Sequence, residues 1–286
     1  MEKIRATVRP ELDGTGILSF LKSELGLSVT LVKKVKYGGV FINGQNVHMR
    51  ATVHDGDTVE VILPSEDGSE IKPIPMPLDI VYEDEWMIAV NKPSGMPTHP
   101  SRGNSLPTLA EGIMAYFSQG SFVFRSVNRL DRDTSGIVLI AKDTVSAARL
   151  SSGMKRGEFE KTYLAVVCGT PTPEKAIIDA PIERECADSI KRTVREDGKR
   201  AVTEYRVVRK LRDGNSLCEI RLHTGRTHQI RVHMAYVGHP LVADFLYGER
   251  TEGESYKLHA KSLSFIHPIT NERITLTSRA EFEDDE

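Results

Sequence analysis

A chain of 286 residues with 39% apolar and 27% charged side chains has the composition of an ordinary globular enzyme and is long enough for one large domain or two unequal ones. Its three cysteines, Cys168, Cys186 and Cys218, are odd in number and far apart, which excludes a disulfide framework and a CxxC metal site and marks them as reduced. Apolar runs such as Ile137 to Ala141 are too short to cross a bilayer, and Met1-Glu2-Lys3-Ile4-Arg5 lacks the apolar core of a signal peptide, so a cytoplasmic monomer with no membrane partner is expected. The net charge of −2 hides an uneven distribution: Arg184 to Arg212 carries ten basic residues against five acidic ones, while Glu281 to Glu286 holds five acids.

From the N-terminus, Ile17, Leu18, Leu21 and Leu25 recur at helical spacing and stop at Gly26. Ser28 is the expected N-cap of a second helix carrying Leu31, Val32 and Val35 and ending at Gly38-Gly39. The period then changes. Val40-Phe41-Ile42 turns at Asn43-Gly44, and Asp55-Gly56-Asp57 precedes a β-prone run from Thr58 to Leu63. The order Ser28 to Lys34, Val40 to Gly44 and Asp55 to Asp57 resembles the S4 RNA-binding domain. The resemblance implies that residues 1–66 bind RNA, with Lys33, Lys34, Lys36 and Arg50 on phosphates. Between Leu12 and Leu63 five basic residues meet five acidic ones, so a modest grip is expected.

Ser65 to Glu70 is polar, and Pro73, Pro75 and Pro77 follow, which places a linker at 67–78 before a larger domain at 79–286. In that domain Ile80 to Tyr82 and Met87 to Val90 read as a hairpin about Glu83-Asp84-Glu85, and Asn91-Lys92-Pro93-Ser94-Gly95 as the next turn. Further β-type runs lie at 136–141, 163–167, 201–208, 217–222 and 273–276, with helices expected near 107–117, 144–155 and 229–237. Strands outnumber helices and cluster, which predicts an α+β fold with a mixed or antiparallel sheet.

Common catalytic signatures fail. There is no Gly-x-Ser-x-Gly elbow, Gln45 stands where a P-loop needs lysine, and Ser19 stands where a dinucleotide fingerprint needs its third glycine. His223, His228 and His233, five apart, share neither a helix face nor a strand face, so no metal site is expected. What remains dense in functional groups is Asn128-Arg129-Leu130-Asp131-Arg132-Asp133-Thr134-Ser135-Gly136, ahead of a buried strand. Taken alone, this loop is equally a structural turn in which Asp131 and Asp133 pair with Arg129 and Arg132.

The loop resembles the H-R-L-D-x-x-T-S-G motif of RluA-type RNA pseudouridine synthases. Other segments similar to that family follow in order: Asn91 to Gly95, Lys161-Thr162-Tyr163, Gly198 to Thr203, Thr224 to Met234, Gly238 to Leu241, and Leu258 to Ala260. The resemblance implies an isomerase, an intramolecular transferase, that turns uridine into pseudouridine in RNA with Asp131 as the catalytic carboxylate. It further implies that Arg226 makes an ion pair with Asp131, that Tyr163 stacks on the uracil and helps remove the C5 proton, and that Arg129 fills the gap left by the flipped base. Asn128 departs from the motif's usual histidine, a change expected to touch the loop and not the chemistry. Because the reaction moves atoms without gaining or losing electrons, no cofactor is expected. The basic run Lys191, Arg192, Arg195, Lys199 and Arg200 becomes a candidate phosphate-binding surface. Ribosomal RNA, with 23S RNA foremost, is the expected partner and transfer RNA the alternative. Two other readings stay open on the residues alone: a non-catalytic RNA-binding protein, and a hydrolase using Asp131 and Asp133 as paired carboxylates.

Overall fold

The largest hydrophobic core lies in the C-terminal part of the chain, a second in the N-terminal part, and a third on the other face of the main sheet. The computed structural model describes residues 3–27, 29–63, 71–101, 105–118, 122–249 and 251–285. The expected N-cap Ser28 and the polar run Ser65 to Glu70 lie outside the described residues.

The N-terminal part runs β1 (Lys3–Thr7), α1 (Ile17–Ser23), α2 (Val29–Val35), β2 (Val40–Ile42), β3 (Gln45–Asn46) and β4 (Thr58–Ile62). Its sheet has the order β1-β4-β2-β3, so the first strand, which lacks an alternating signal long enough to read from sequence, pairs with the last. Ile17, Phe20 and Leu21 of α1 pack with Val32 and Val35 of α2 onto Val40, Val59 and Val61, because a two-helix layer buries its apolar stripe against one face of a sheet. Asn43 and Gly44 both adopt positive φ, 51° and 80°, as a tight β2–β3 turn requires.

The larger part continues with β5 (Ile80–Glu83), β6 (Met87–Lys92), α3 (Leu109–Tyr116), β7 (Arg125–Ser126), β8 (Ser135–Ala141), α4 (Thr144–Lys155), β9 (Glu160–Val167) and β10 (Lys175–Asp179). It ends with β11 (Ile182–Arg184), β12 (Arg192–Val194), β13 (Val202–Lys210), β14 (Ser216–Leu222), α5 (Gln229–Tyr236), β15 (Leu258–Ile266) and β16 (Arg273–Thr277). The main sheet follows β10-β13-β14-β9-β15-β8-β6-β5, with β16 on β15 and β7 on β8. It is mixed: β15 and β8 are parallel and the other pairings antiparallel. Strand β8 reads as a near-continuous apolar run because it lies inside the sheet with both faces covered.

The helices start where the chain supplies caps. Thr108 and Glu111 form a reciprocal capping box on α3, and the Asp143 carboxylate accepts the Ser146 N–H at 2.8 Å to start α4. The described end of the expected linker is not free of the larger domain: Ile71 and Leu78 pack against its core, and the Ile74 N–H bonds to the Glu111 carbonyl at 3.1 Å. Gly112 leaves the room that the Met76 side chain occupies, so this extended segment rides along α3.

Candidate active site

The loop before β8 is held from outside by backbone contacts. Side chains from the end of β6 and the segment after it bond to its carbonyls: Thr98 Oγ1 to Leu130 at 2.9 Å, Lys92 Nζ to Arg132 at 3.0 Å, and Ser94 Oγ to Asp133 at 2.8 Å. Lys92 is fully buried and its ammonium also reaches the carbonyls of Pro93 and Met96, at 2.8 and 2.7 Å. Burial pulls its pKa down to about 8, against the pull of Asp133 and Asp131. At the loop's start Asn128 acts like a strand residue, donating to the Ile137 carbonyl and accepting the Leu139 N–H, at 2.9 and 2.8 Å. At its end Gly136, with φ of 111°, sits against the Ala260 backbone, where β8 and β15 are in parallel register and any Cβ would collide.

With the backbone fixed, the two aspartates separate in role. Asp133 is buried and takes both oxygens to Arg132, at 2.8 and 2.9 Å. Asp131 turns the other way and keeps its side chain 32% exposed. Facing its Oδ2 are Arg231 Nη1 at 3.5 Å and His228 Nε2 at 3.8 Å. Of the two arginines in the Thr224 to Met234 segment, Arg231 is therefore the partner. Arg226 is exposed and donates to the Arg200 carbonyl at 3.0 Å, so the expected Asp131–Arg226 pair is not formed. Arg226 begins the turn before α5, its carbonyl accepting the Gln229 N–H, whereas Arg231 sits inside the helix and is buried.

Arg231 is held on several sides. Its Nε and Nη2 bond to the two oxygens of the fully buried Asp244, both at 2.7 Å, and its guanidinium carbon lies 4.3 Å from the Tyr256 ring centre and 5.0 Å from that of Tyr247. Burial opposes the charge, but the hydrogen bonds that Arg231 donates to Asp244, with the nearby negative charges, outweigh it and raise the pKa. The rest of α5 is equally committed. The Gln229 amide bonds to Thr224, Thr203 and the Val202 carbonyl, and His233 bridges Thr203 and the Ala180 carbonyl. A short helix buried on nearly every side is stable here because its polar groups are paired. Tyr163, on β9, is buried, and burial together with the Asp131 charge pushes its phenol up, so it stays protonated at neutral pH.

A family model described as RNA pseudouridylate synthase matches residues 86–236. This chain belongs to the RNA pseudouridine synthase family. It is 42% identical over 257 residues to the uncharacterised RNA pseudouridine synthase YjbO of Bacillus subtilis (strain 168), covering 88% of this chain and 90% of that protein. It is 36% identical over 257 residues to the ribosomal large subunit pseudouridine synthase D of Xanthomonas campestris pv. campestris, covering 84% and 77%. Among solved structures, human RNA pseudouridylate synthase domain containing 1 superposes with a TM-score of 0.62 at 27% identity, covering 76% of this chain and 87% of that one.

This RNA pseudouridine synthase is thus an isomerase acting on RNA, and its matched segment contains Asp131, Tyr163 and Arg231. The α+β expectation, with a mixed sheet, holds for the synthase domain. Among the described residues no group of three or more His, Cys, Asp or Glu is placed to hold a metal, and no helix is long and apolar enough to cross a membrane. His223 faces Glu204, far in role from His228 and His233.

The other predicted residues lie apart from this cluster. Arg129 is exposed next to Asp131, and its charge lowers the pKa of His99, which burial lowers first. Lys33, Lys34, Lys36 and Arg50 are exposed on the N-terminal part, with Lys36 Nζ 5.1 Å from the Tyr37 ring centre. In the basic run, Lys191 is 3.8 Å from Glu185, Arg192 3.9 Å from Glu183, Arg195 2.6 Å from Asp197 and Arg200 3.4 Å from Asp179. Only Lys199 of that run has no ion pair among the described residues. Sequence reasoning missed Lys92, Arg231, Asp244, His228 and Tyr247. A charged residue inside an apolar helix such as α5 is the available signal for Arg231, since it demands a buried acid somewhere else in the chain.

Proposed function

We propose that Asp131 is the nucleophile of the isomerisation, oriented by Arg231 and roofed by Tyr163, and that the substrate is a flipped uridine of ribosomal RNA. The observation that carries this reading is the arrangement around one carboxylate. Asp131 lies beside a guanidinium whose other nitrogens are taken by Asp244, so Arg231 is locked in place and presents its remaining nitrogen to Asp131. Attack of the carboxylate at C1′ expels the uracil through N1, the uracil turns, and C5 attacks C1′ and expels the carboxylate again. If the carboxylate adds at C6 instead, it is eliminated from C6 once C5 has joined C1′. On either route the C5 proton passes to water while N1 takes up a proton, so the enzyme is returned unchanged. Atoms and electrons balance without an oxidant or reductant. Tyr163, kept protonated, supports the base by its ring and hydroxyl and not as a phenolate.

A uracil within a stack cannot reach a carboxylate set at the start of a central strand, so the nucleotide flips, at a cost of a few kcal/mol. Arg129, exposed and two residues before Asp131, fills the space it leaves. The S4-like reading of residues 1–66 supports a large structured RNA, as does the likeness to ribosomal large subunit pseudouridine synthase D. A cytoplasmic monomer with Lys33, Lys34, Lys36 and Arg50 on RNA phosphates completes this reading.

The test uses RNA carrying tritium at uridine C5, mixed with purified protein. The parent releases tritium to water; Asp131→Asn, which keeps shape and removes charge, releases none while its thermal melting stays close to the parent. Repeated turnover by Asp131→Asn would defeat the nucleophile assignment.

A further inference from the structure

His228 occupies a conformation that its own backbone does not favour. It is the residue preceding α5, with φ of 58°, yet its side chain caps nothing in that helix. A non-glycine residue in the left-handed region costs on the order of 1 kcal/mol or more and persists where its surroundings insist on it. Here they do. His228 Nδ1 is 2.8 Å from the Tyr247 hydroxyl, and that hydroxyl accepts the Arg192 N–H at 2.8 Å. The ring is largely buried, edge-on to Tyr247 at 5.7 Å between centres, and its Nε2 points at Asp131 Oδ2 from 3.8 Å.

The donor inventory orders this chain. A phenol has one proton to give. The Tyr247 oxygen already receives the Arg192 N–H, and its own pKa is pushed up to about 12, chiefly by burial, so it keeps that proton. Its natural acceptor is His228 Nδ1. An imidazole that accepts at Nδ1 while neutral carries its hydrogen on Nε2, the nitrogen that faces a carboxylate and not another donor. The opposite tautomer would aim a lone pair at Asp131. Burial favours the neutral ring, Arg231 and Arg192 reinforce it, and Asp131 and Asp244 oppose it.

We infer that His228, held in one tautomer by Tyr247, is a positioning residue that donates from Nε2 to the Asp131 carboxylate once a nucleotide is bound. This rests on Asp131 being the nucleophile. Arg231 and His228 then approach Oδ2, leaving Oδ1 directed at the reacting carbon. The backbone N–H that anchors the chain belongs to β12, so the strand pair β11–β12 is wired by two hydrogen bonds to the imidazole beside the carboxylate.

The experiment compares His228→Leu, His228→Gln, Tyr247→Phe and the double variant His228→Leu/Tyr247→Phe under multiple turnover on tritiated RNA. Loss of a hydrogen bond to a charged group predicts that His228→Leu lowers kcat roughly 10- to 100-fold with KM little changed. Gln, whose amide nitrogen reaches as far as Nε2, restores most of the rate. Tyr247→Phe slows turnover about 3- to 10-fold by releasing the tautomer, and adds nothing when His228 is already Leu. In the parent, nitrogen NMR of labelled histidine reports the Nε2–H tautomer for His228, a readout that holds even where His228→Leu fails to fold. Full activity in His228→Leu, no rescue by Gln in a variant with normal melting, additive losses in the double variant, or an Nδ1–H tautomer would overturn the inference. Asp131→Asn run alongside separates the two readings: if it is dead while His228→Leu is active, only the His228 role falls, and if it turns over, both do.

Discussion

The loop from Asn128 to Gly136 and the basic stretch around β11 and β12 are comparably rich in charge, yet they treat it in opposite ways. In the loop, backbone carbonyls are taken by Thr98, Lys92 and Ser94, and Asp133 is taken by Arg132, which leaves Asp131 as the part-exposed carboxylate facing Arg231 and His228. Along β11 and β12, Lys191, Arg192, Arg195 and Arg200 each have an acidic neighbour within 4 Å, and the local surplus is largely spent within the protein. Charge density measures neither chemistry nor RNA affinity. What counts is which group the surrounding structure leaves uncommitted while fixing everything around it.

The sharpest way to break that comparison is at the two arginines of one segment. Arg231→Lys keeps a positive charge for Asp244 but cannot serve Asp244 and Asp131 together, so tritium release should fall by about 10²-fold or more. Arg226→Met, by contrast, should cost at most a few-fold. Equal losses in the two variants would return Arg226 to the centre of the site.

Next in size is Asp244→Ala. It strands the buried Arg231 guanidinium, and removing one member of a buried pair costs about 3–5 kcal/mol, readable as a large drop in the denaturation midpoint. Asp133→Asn probes the structural member of the loop: stability should fall by about 1–2 kcal/mol with turnover retained, and an inactive but normally folded Asp133→Asn would revive the paired-carboxylate reading.

The smallest effect belongs to the basic stretch. Arg195→Ala, already paired with Asp197, should change RNA affinity less than twofold, whereas Lys33→Ala with Lys34→Ala should weaken it and flatten its dependence on salt, each lost phosphate contact reducing the slope by about 1. Binding isotherms at several salt concentrations distinguish the two surfaces. A larger loss from Arg195→Ala would mean that RNA displaces Asp197.

Local patterns were enough for much of this molecule. The span of α4 follows from its apolar spacing and Asp143 cap, and the β5–β6 hairpin from alternation about Glu83 to Glu85. The loop carrying Asp131 was legible as a dense polar cluster before an apolar run, and Asn128, the motif's one departure, has a role that short range alone provides: it bonds to Ile137 and Leu139 of the strand that follows. Strand β1 was not legible because its partner β4 lies more than fifty residues away, and β15 because one continuous strand makes parallel, antiparallel and bulged pairings that no single period describes.

By itself the sequence indicated the class of fold, through clusters of β-prone runs, and the family, through motifs that resemble it, since both are carried by short stretches of neighbouring residues. The choice of Arg231 over Arg226 was made only by the tertiary structure. Both are arginines in the same short segment, and what separates them is Asp244, thirteen residues beyond Arg231, together with the rings of Tyr247 and Tyr256. A guanidinium can be buried beside a carboxylate only where distant residues converge to neutralise it and hold it still, and that convergence is a property of the folded chain.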